Sequence, residues 1–349
     1  MAEKVILPSL RESYEQLKEE QPRLRIRNAA DQLGVSELEL LELQLGDGVV
    51  RLKGDSKDML RDMHQLGYVM ALTRNDHAVH ERKGVYHNIS FMANGKMGVA
   101  VNPDIDLRFF MSQWRHAYAV RMEAGRRTLY SFQFFNKAGK AIHKIYLTPK
   151  SDPKAYDDLL HKYRAKNQEK TTRITKTETK KNAAAPDSEI DVAAFQQDWR
   201  ELQDTHDFFG MLKKHGVTRT QAMRLAPENY TRQLSNDAIV RMLELAAEHQ
   251  TPIMVFVGNE GCIQIHSGPV RNIVPMEGWI NVMDPAFNLH LKLDGISEIW
   301  ETRKPTKDGI VTGIEVFDQE GELIVYCFGK RKPGIPELKE WRELVTQLS

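Results

Sequence analysis

One histidine of the sequence stands where it could bind a metal. In "DTHDFFGMLKKHGV" (204–217), apolar residues recur at helical spacing and Asp204 or Thr205 is a suitable N-cap, so His206 falls in the first turn of a predicted helix. The positive end of the helix dipole disfavours a cation at this point, and we expect a neutral imidazole with a free lone pair. Neutral imidazole is the form that binds transition metals.

The chain contains one pattern twice. "VMALTRNDHAVHERKGVYHNI" (69–89) aligns with "IMVFVGNEGCIQIHSGPVRNI" (253–273) at an offset of 184 residues. Further on, "NPDIDLR" (102–108) aligns with "DPAFNLH" (284–290) at an offset of 182 residues. The sequence is therefore an internal duplication.

The duplication provides an internal comparison for single residues. The counterpart of His206 is Leu24, so the fold does not require histidine at this helix start. Arg108 in "NPDIDLRFF" shows the same asymmetry, because its counterpart is His290. His206 and Arg108 are therefore the leading candidates for a functional role.

The elements that must position these residues follow the same order in both copies. Helical patterns come first, then short β-branched and aromatic runs separated by Asn-Gly, Lys-Gly, Asp-Gly or Glu-Gly turns, and then a closing helix. This order predicts an α+β fold, a tandem duplication with halves at 1–163 and 189–349. Between them, 164–188 is rich in Lys and Thr and has one isoleucine, so we expect a flexible linker.

Composition gives no global attraction to nucleic acid or to anionic membranes. The 349 residues include 49 Lys and Arg against 48 Asp and Glu, a formal net charge of +1. The two cysteines, Cys262 and Cys327, have no metal-binding spacing and fit a reducing compartment. No apolar run has the length of a signal peptide or of a membrane span, so we expect a cytoplasmic protein that is not membrane-embedded.

Longer stretches of both halves match a known family. "WRELQDTHDFFGMLK", "NPDIDLRFFMSQW", "IMVFVGNEGCIQIHSG" and "WETRKPTKDG" are examples. Together they resemble the HemS/ChuS/PhuS family of bacterial cytoplasmic haem-utilisation proteins, and the likeness covers the chain apart from the linker. The resemblance implies two similar halves, each a large antiparallel β-sheet with flanking helices, and haem b in a cleft between them.

The resemblance also implies roles for single residues. His206 corresponds to the proximal iron ligand, and Arg108 to an arginine that approaches the opposite face of the iron. The other implied positions are apolar walls at Phe110, Phe256 and Phe328, and cations near the propionates at Lys292 and Arg331. These types suit haem, because imidazole binds iron, aromatic rings cover the macrocycle, and Arg or Lys bind carboxylates. Asp207 or a backbone carbonyl could accept from the second imidazole nitrogen.

Two more histidines, His77 and His80, lie in "DHAVHERKG" on a predicted strand or its edge. Their counterparts, Gly261 and Gln264, are not histidines. The resemblance implies a secondary haem site at His80. The alternative is an exposed histidine at a strand edge without a chemical role.

The segment "AADQLGVSELELL" (29–41) has the spacing of a helix-turn-helix motif. Its second helix would have to face phosphates, yet Glu37, Glu39 and Glu42 fall on it. A DNA-binding regulator is therefore disfavoured, and a plain helix hairpin explains the spacing. The basic residues of the linker are interpreted as solvated, so we expect no nucleic-acid partner.

Two functions in haem-iron acquisition remain open. The protein could be a carrier that receives haem from an ABC importer and passes it to a separate haem oxygenase. It could instead be an enzyme that opens the haem ring oxidatively or reductively and releases iron, with electrons from NAD(P)H through a reductase. Haem supplies the reactive iron itself, so the lack of a catalytic constellation in the sequence does not exclude the enzyme.

Overall fold

The first copy of the pattern folds into five α-helices and nine strands within the part of the chain that is described. The computed structural model describes residues 9–169, 172–175, 185–332 and 334–349. The helices are α1 (Leu10–Glu20), α2 (Ile26–Leu33), α3 (Glu37–Glu42), α4 (Ser56–Asp62) and α5 (Pro153–Tyr163). The strands are β1 (Val49–Leu52), β2 (Gly67–Arg74), β3 (Ala78–Gly84), β4 (Ile89–Phe91), β5 (Met97–Val101), β6 (Asp106–Phe110), β7 (His116–Ala124), β8 (Arg127–Phe135) and β9 (Ala141–Ser151).

The second copy repeats this order. Its helices are α6 (Val192–Arg200), α7 (Asp207–His215), α8 (Arg219–Leu225), α9 (Ala238–Glu248) and α10 (Lys339–Thr346). Its strands are β10 (Thr231–Leu234), β11 (Ile253–Gly258), β12 (Cys262–Gly268), β13 (Ile273–Met276), β14 (Trp279–Met283), β15 (Phe287–Lys292), β16 (Glu298–Thr306), β17 (Gly309–Phe317) and β18 (Leu323–Gly329). The predicted tandem α+β fold with antiparallel sheets is confirmed.

The two halves exchange strands. The first sheet has the order β1-β7-β8-β9-β2-β3-β15-β14-β13, and the second has the order β10-β16-β17-β18-β11-β12-β6-β5-β4. Each sheet therefore combines six strands of one half with three strands of the other. The joints are antiparallel, with His290 opposite Val79 and Arg108 opposite Ile263. The sequence pattern did not predict this exchange.

The inner faces of the two sheets pack against each other. One apolar cluster joins Ala78, Leu289 and Leu291 of the first sheet to Val255 and Val257 of the second. The same cluster includes residues of α9 and α10, while α4 and α5 contribute to a second cluster with strands of the first sheet. Helices thus flank a central sandwich, and burial of these apolar faces stabilises the strand exchange.

Two asparagines tie the halves together at equivalent turns. The Asn75 side-chain amide donates to the carbonyl of Ile324 at 2.8 Å, and that of Asn259 donates to the carbonyl of Ile142 at 2.8 Å. Each Oδ1 also accepts a backbone N–H of its own turn. The duplicated asparagine therefore serves the contact between the halves, because its buried polar atoms are satisfied there.

Part of the predicted linker lies against the first half. The Ala165 N–H donates to the Arg51 carbonyl at 3.0 Å, and the Thr175 N–H donates to the Lys137 carbonyl at 2.9 Å. Residues 170–171 and 176–184 of the predicted linker lie outside the described residues. No helix in the described ranges is long and apolar enough to cross a membrane.

The acidic residues near α3 have structural roles. Glu37 is buried and paired with Lys144, and Glu42 is buried and paired with Arg51. Glu39 completes a capping box with Ser36. Glu37 and Glu42 are therefore not on an exposed surface of the helix that a helix-turn-helix motif would turn toward DNA. The absence of a nucleic-acid partner stays a prediction.

Candidate functional site

Four of the predicted site residues share one face of the second sheet. They are Arg108 and Phe110 on β6, Phe256 on β11 and Phe328 on β18. Residues that pair across neighbouring strands point to the same side of a sheet, and so do residues two apart on one strand. The pairing of β6, β12, β11 and β18 therefore places all four side chains on one side of the second sheet. It is the outer side, away from the first sheet, and Phe328 is buried while the other three are half-buried.

Aromatic rings cover the centre of this surface. The ring centroids of Phe256 and Phe328 are 4.8 Å apart, and Tyr326 lies 4.9 Å from Phe328 and 5.9 Å from Phe256. Phe110 lies on the same side of the sheet. We call Phe110, Phe256, Tyr326 and Phe328 the aromatic face. A half-buried patch of this kind suits a flat apolar ligand.

Helix α7 packs beside the aromatic face. Its Phe208 is buried, and the Lys304 ammonium lies 4.2 Å from the centroid of that ring and 4.8 Å from that of Tyr326. The Arg219 guanidinium lies 5.8 Å and 5.5 Å from the same two rings. Cation–π contacts therefore connect the start of α7 to the sheet.

A buried carboxylate holds these two cations. Glu315 is fully buried; its Oε2 accepts from Arg219 Nε at 2.5 Å, and its Oε1 accepts from Lys304 Nζ. Burial alone would raise the pKa of Glu315, but Arg219 and Lys304 lower it to about 2. Burial lowers the pKa of Lys304 to about 8 in spite of Glu315.

Sequence reasoning missed this charged cluster of Arg219, Lys304 and Glu315. Comparison of the two copies could have found the cluster, because the counterparts of its three residues are Glu37, Met122 and Gln133, which differ in charge. The second half therefore has different charged residues beneath its helices, just as it has His206 where the first half has Leu24.

His206 is the N-cap of α7 and does not lie within its first turn. The predicted caps Asp204 and Thr205 are therefore one or two residues too early. The His206 side chain is 85% exposed, and its Nδ1 lies 2.6 Å from Asp204 Oδ1. The same oxygen accepts the His206 backbone N–H at 2.9 Å. Asp204 is therefore the acceptor that the sequence argument had placed at Asp207 or at a carbonyl.

Arg331 lies close to the loop that carries His206. Its Nη2 is 3.6 Å from Asp308 Oδ2, and its charge contributes to lowering the pKa of Asp204, after the larger effect of the His206 N–H. The Lys307 N–H donates to the Gln203 carbonyl at 3.1 Å, which joins the two loops. The structure thus brings Arg331 and His206 to one end of the second sheet.

Arg108 is partly engaged by its own strand. It is paired with Asp106, and its side chain is 30% exposed. Burial raises the pKa of Asp106, and Arg108 opposes that rise. The guanidinium is therefore held on the outer face two strands from Phe256, with part of its surface free to contact a ligand.

Lys292 does not join this site. It ends β15 in the first sheet, where its backbone N–H donates to the His77 carbonyl at 2.8 Å and its Nζ lies 3.1 Å from Asp294 Oδ2. It is two residues from His290 and therefore shares that residue's face of the other sheet. Besides Arg108, the structure brings Arg219, Lys304 and Arg331 to the aromatic face or to the start of α7.

His80 lies in the core and cannot meet a ligand at the surface. It is fully buried, its ring centroid lies 4.9 Å from that of Phe287, and neither ring nitrogen has a hydrogen-bond partner among the described residues. Burial, followed by His266 and Arg82, lowers its pKa well below the ordinary value. The structure therefore buries His80 in the core, whereas the resemblance implied a secondary haem site at this residue. Its neighbour His77 has its Nε2 3.7 Å from Asp318 Oδ2.

The residue types gathered here match the chemical demands of haem. Haem presents an apolar macrocycle, an iron that needs an axial donor, and two carboxylates. The aromatic face offers rings, His206 offers an exposed imidazole, and Arg331 offers a cation on the same side as His206. Arg108 comes from the first half and the other residues from the second, so the site draws on both halves through strand exchange.

A family model matches both halves. The model described as "Haemin-degrading HemS.ChuX domain" matches residues 34–163 and 216–348. These two stretches begin and end at equivalent elements of the two copies.

Full-length relatives support the same grouping. The hemin transport protein HemS of Yersinia enterocolitica is 37% identical over 98% of this chain and 97% of its own length. The haem-bound crystal structure of PhuS, a haem-binding protein of Pseudomonas aeruginosa, superposes with a TM-score of 0.94 at 47% identity, covering 97% of each chain. ChuS, a haem oxygenase of Escherichia coli, superposes with a TM-score of 0.86 at 35% identity, covering 97% of this chain and 98% of its own.

Proposed function

This chain belongs to the haemin-degrading HemS/ChuX family, and we propose that it binds one haem on the aromatic face of its second sheet, with His206 as the axial ligand of the iron. The observation that carries the proposal is the position of His206. Its imidazole is exposed at the start of a helix that packs beside the aromatic face, and its Nδ1 is engaged by Asp204. Nε2 is then the nitrogen available to iron.

The other residues have complementary roles in this proposal. Phe256 and Phe328 contact the macrocycle, Phe110 extends that contact, and Arg331 pairs with a propionate. Charge-assisted hydrogen bonds of this kind contribute about 1.5–3 kcal/mol each. Arg219 and Lys304 support the site from beneath, because they hold Phe208 and Tyr326 in place.

His206→Ala tests the assignment of the ligand. We expect weaker haem binding and a shifted Soret band, because the variant removes the one axial donor proposed for the protein. His249→Ala is the matched control, since His249 is exposed at the end of α9, outside the site. Spectral titration of both variants with haem measures the effect. An unchanged band and affinity in His206→Ala would remove His206 from the site.

For the cellular role, we propose a cytoplasmic protein that accepts imported haem and degrades it to release iron. PhuS is a haem-binding protein and ChuS a haem oxygenase, so the relatives are compatible with both a carrier and an enzyme. Degradation would need electrons from outside, such as NAD(P)H through a reductase. The alternative is a carrier that passes haem from an ABC importer to a separate oxygenase.

Arg108→Ala separates these two roles. Arginine keeps its proton, so it is a poor iron ligand, but it can hold a water or donate hydrogen bonds on the side of the iron opposite His206. In an enzyme, we expect the variant to keep a His206-ligated complex, to change the spectrum of the sixth ligand, and to bleach haem at least tenfold more slowly with reductant. Tenfold corresponds to about 1.4 kcal/mol of barrier.

The bleaching assay needs a control for free peroxide and a control for charge. Catalase is present throughout, and Arg121→Ala removes an exposed arginine of β7, outside the aromatic face. Equal bleaching rates for the parent and Arg108→Ala would exclude a catalytic role of Arg108 and favour the carrier.

A further inference from the structure

Asp204 contacts His206 through two separate hydrogen bonds. Its Oδ1 lies 2.6 Å from Nδ1 of the ring and 2.9 Å from the backbone nitrogen of the same residue. A carboxylate can only accept, so the ring nitrogen that faces it must carry the proton. The lone pair of the neutral ring is then on Nε2, the nitrogen that points away from the carboxylate.

The loop around Asp204 is itself held in place. The Gln203 carbonyl accepts from the Lys307 N–H at 3.1 Å, and the Asp204 carbonyl accepts from the Asp207 N–H at 3.1 Å. These contacts fix the backbone from which the short Asp204 side chain reaches the imidazole.

Asp204 and His206 are both absent from the equivalent positions of the first half. The residue two places before His206 is Asp204, and the residue two places before its counterpart Leu24 is Pro22. Proline at that point can accept nothing through its side chain. The half that lacks the histidine therefore also lacks the carboxylate. If the loop had only a structural role, there would be no reason for these two residues to change together.

We propose that Asp204 is the positioning residue of the axial ligand: it fixes His206 as the Nδ1–H tautomer, aims Nε2 at the iron, and makes the imidazole a stronger donor. The inference rests on the proposed haem function. An outer partner of this kind orients a ligating histidine and raises its basicity, and removal of such a partner typically weakens metal binding or activity by about 10–100-fold.

The haem-free protein provides the first test. Nitrogen-15 spectra of the His206 ring, recorded where the ring is neutral, are expected to show a proton on Nδ1. Asp204→Asn keeps an oxygen for the backbone N–H but removes the charge, and we expect the proton to move largely to Nε2. The matched control is Asp207→Asn, which makes the same change in the neighbouring residue, whose side chain does not contact the ring among the described residues. A proton on Nε2 in the parent, or no change in Asp204→Asn, would overturn the proposal.

The haem complex provides the second test. In Asp204→Asn we expect about 10–100-fold weaker binding of ferric haem, a lower iron–histidine stretching frequency in the ferrous complex, and a higher reduction potential. Asp207→Asn should match the parent in all three measurements. Parent-like values in Asp204→Asn would overturn the positioning role even if haem binds.

His206→Ala distinguishes the two ways of failing. If it loses the iron–histidine band while Asp204→Asn is unchanged, only the positioning role of Asp204 is wrong. If it binds haem with the spectrum of the parent, the ligand assignment is wrong and the role of Asp204 falls with it.

Discussion

Replacing Glu315 with glutamine is expected to destabilise the protein by about 3–5 kcal/mol, because it leaves the buried Lys304 and the half-buried Arg219 without their counter-charge. Lys304 and Arg219 meet at this carboxylate, and the side chains of Glu315 and Lys304 are 0% and 2% exposed. Glutamine has nearly the same shape, so the loss reports the charge and little else. The free energy of unfolding, measured with urea, gives the effect.

The same variant is expected to weaken haem binding. Lys304 and Arg219 contact Phe208 of α7, and α7 carries His206 at its start. Glu320→Gln is the matched control, since it makes the same chemical change at an exposed turn after β17, and we expect a change within about 0.5 kcal/mol. Similar losses in the two variants would show that the buried cluster is not important for stability.

The second large effect expected is acid unfolding that begins well above the range of the carboxylates. His80, His143 and His266 are buried. Burial lowers the pKa of His143 and of His266 to about 3, and it lowers that of His80 well below the ordinary value. A lowered pKa in the fold means that the unfolded chain takes up more protons. The stability is complete above about pH 6.5 and declines as the pH falls below it.

The size of this effect follows from the number of groups. Each histidine removes about 1.4 kcal/mol per pH unit below its unfolded pKa, so the three together remove roughly 6 kcal/mol at pH 5. Glu315, with its pKa lowered to about 2, adds its own loss only below its unfolded pKa, near pH 4.5. Urea unfolding at a series of pH values between 7 and 5 therefore measures the contribution of the histidines without the loss from Glu315.

His266→Phe tests the origin of the acid sensitivity. The His266 ring stacks on Phe287 with centroids 3.8 Å apart, and neither of its nitrogens has a hydrogen-bond partner within the described ranges. Phenylalanine keeps the stacking and removes the titration, so we expect the pH slope to fall by about 1.4 kcal/mol per pH unit below pH 6.5. His249→Phe changes an exposed histidine and should keep the full slope. An unchanged slope in His266→Phe would locate the acid sensitivity elsewhere.

The order of helices and strands was predictable because the two copies of the pattern can be aligned with each other. Turn residues and strand periodicity repeat at a constant offset, so the order of elements in one half predicts the order in the other. Strand exchange was not predictable in the same way. β6 and β15 have equivalent sequences and equivalent neighbours, and nothing in their periodicity says which sheet edge they join. That choice depends on contacts between the halves, such as those of Asn75 and Asn259.

The sequence predicted the exposed histidine of the proposed site, but it predicted the residues around that histidine less well. His206 was found because a polar residue at a helix start differs from its repeat counterpart. The sequence pointed to Asp207 or a backbone carbonyl, and not to Asp204, as the hydrogen-bond partner of the His206 ring. Helical spacing does not show which carboxylate lies next to the imidazole. Lys292 was placed by resemblance alone, and its strand belongs to the other sheet. A lysine buried in β16, Lys304, reads in sequence as an ordinary surface residue.

Because strands are exchanged, neither copy of the duplicated gene encodes all the residues of the proposed site. Arg108 is encoded in the first copy, whereas His206 and Phe256 are encoded in the second. A single-copy ancestor with the same exchange would have been a domain-swapped homodimer with two identical sites, each built from both subunits. Fusion of two copies into one chain removed that symmetry. The pair His206 and Arg108 could then evolve on one sheet while Leu24 and His290 took the equivalent positions on the other.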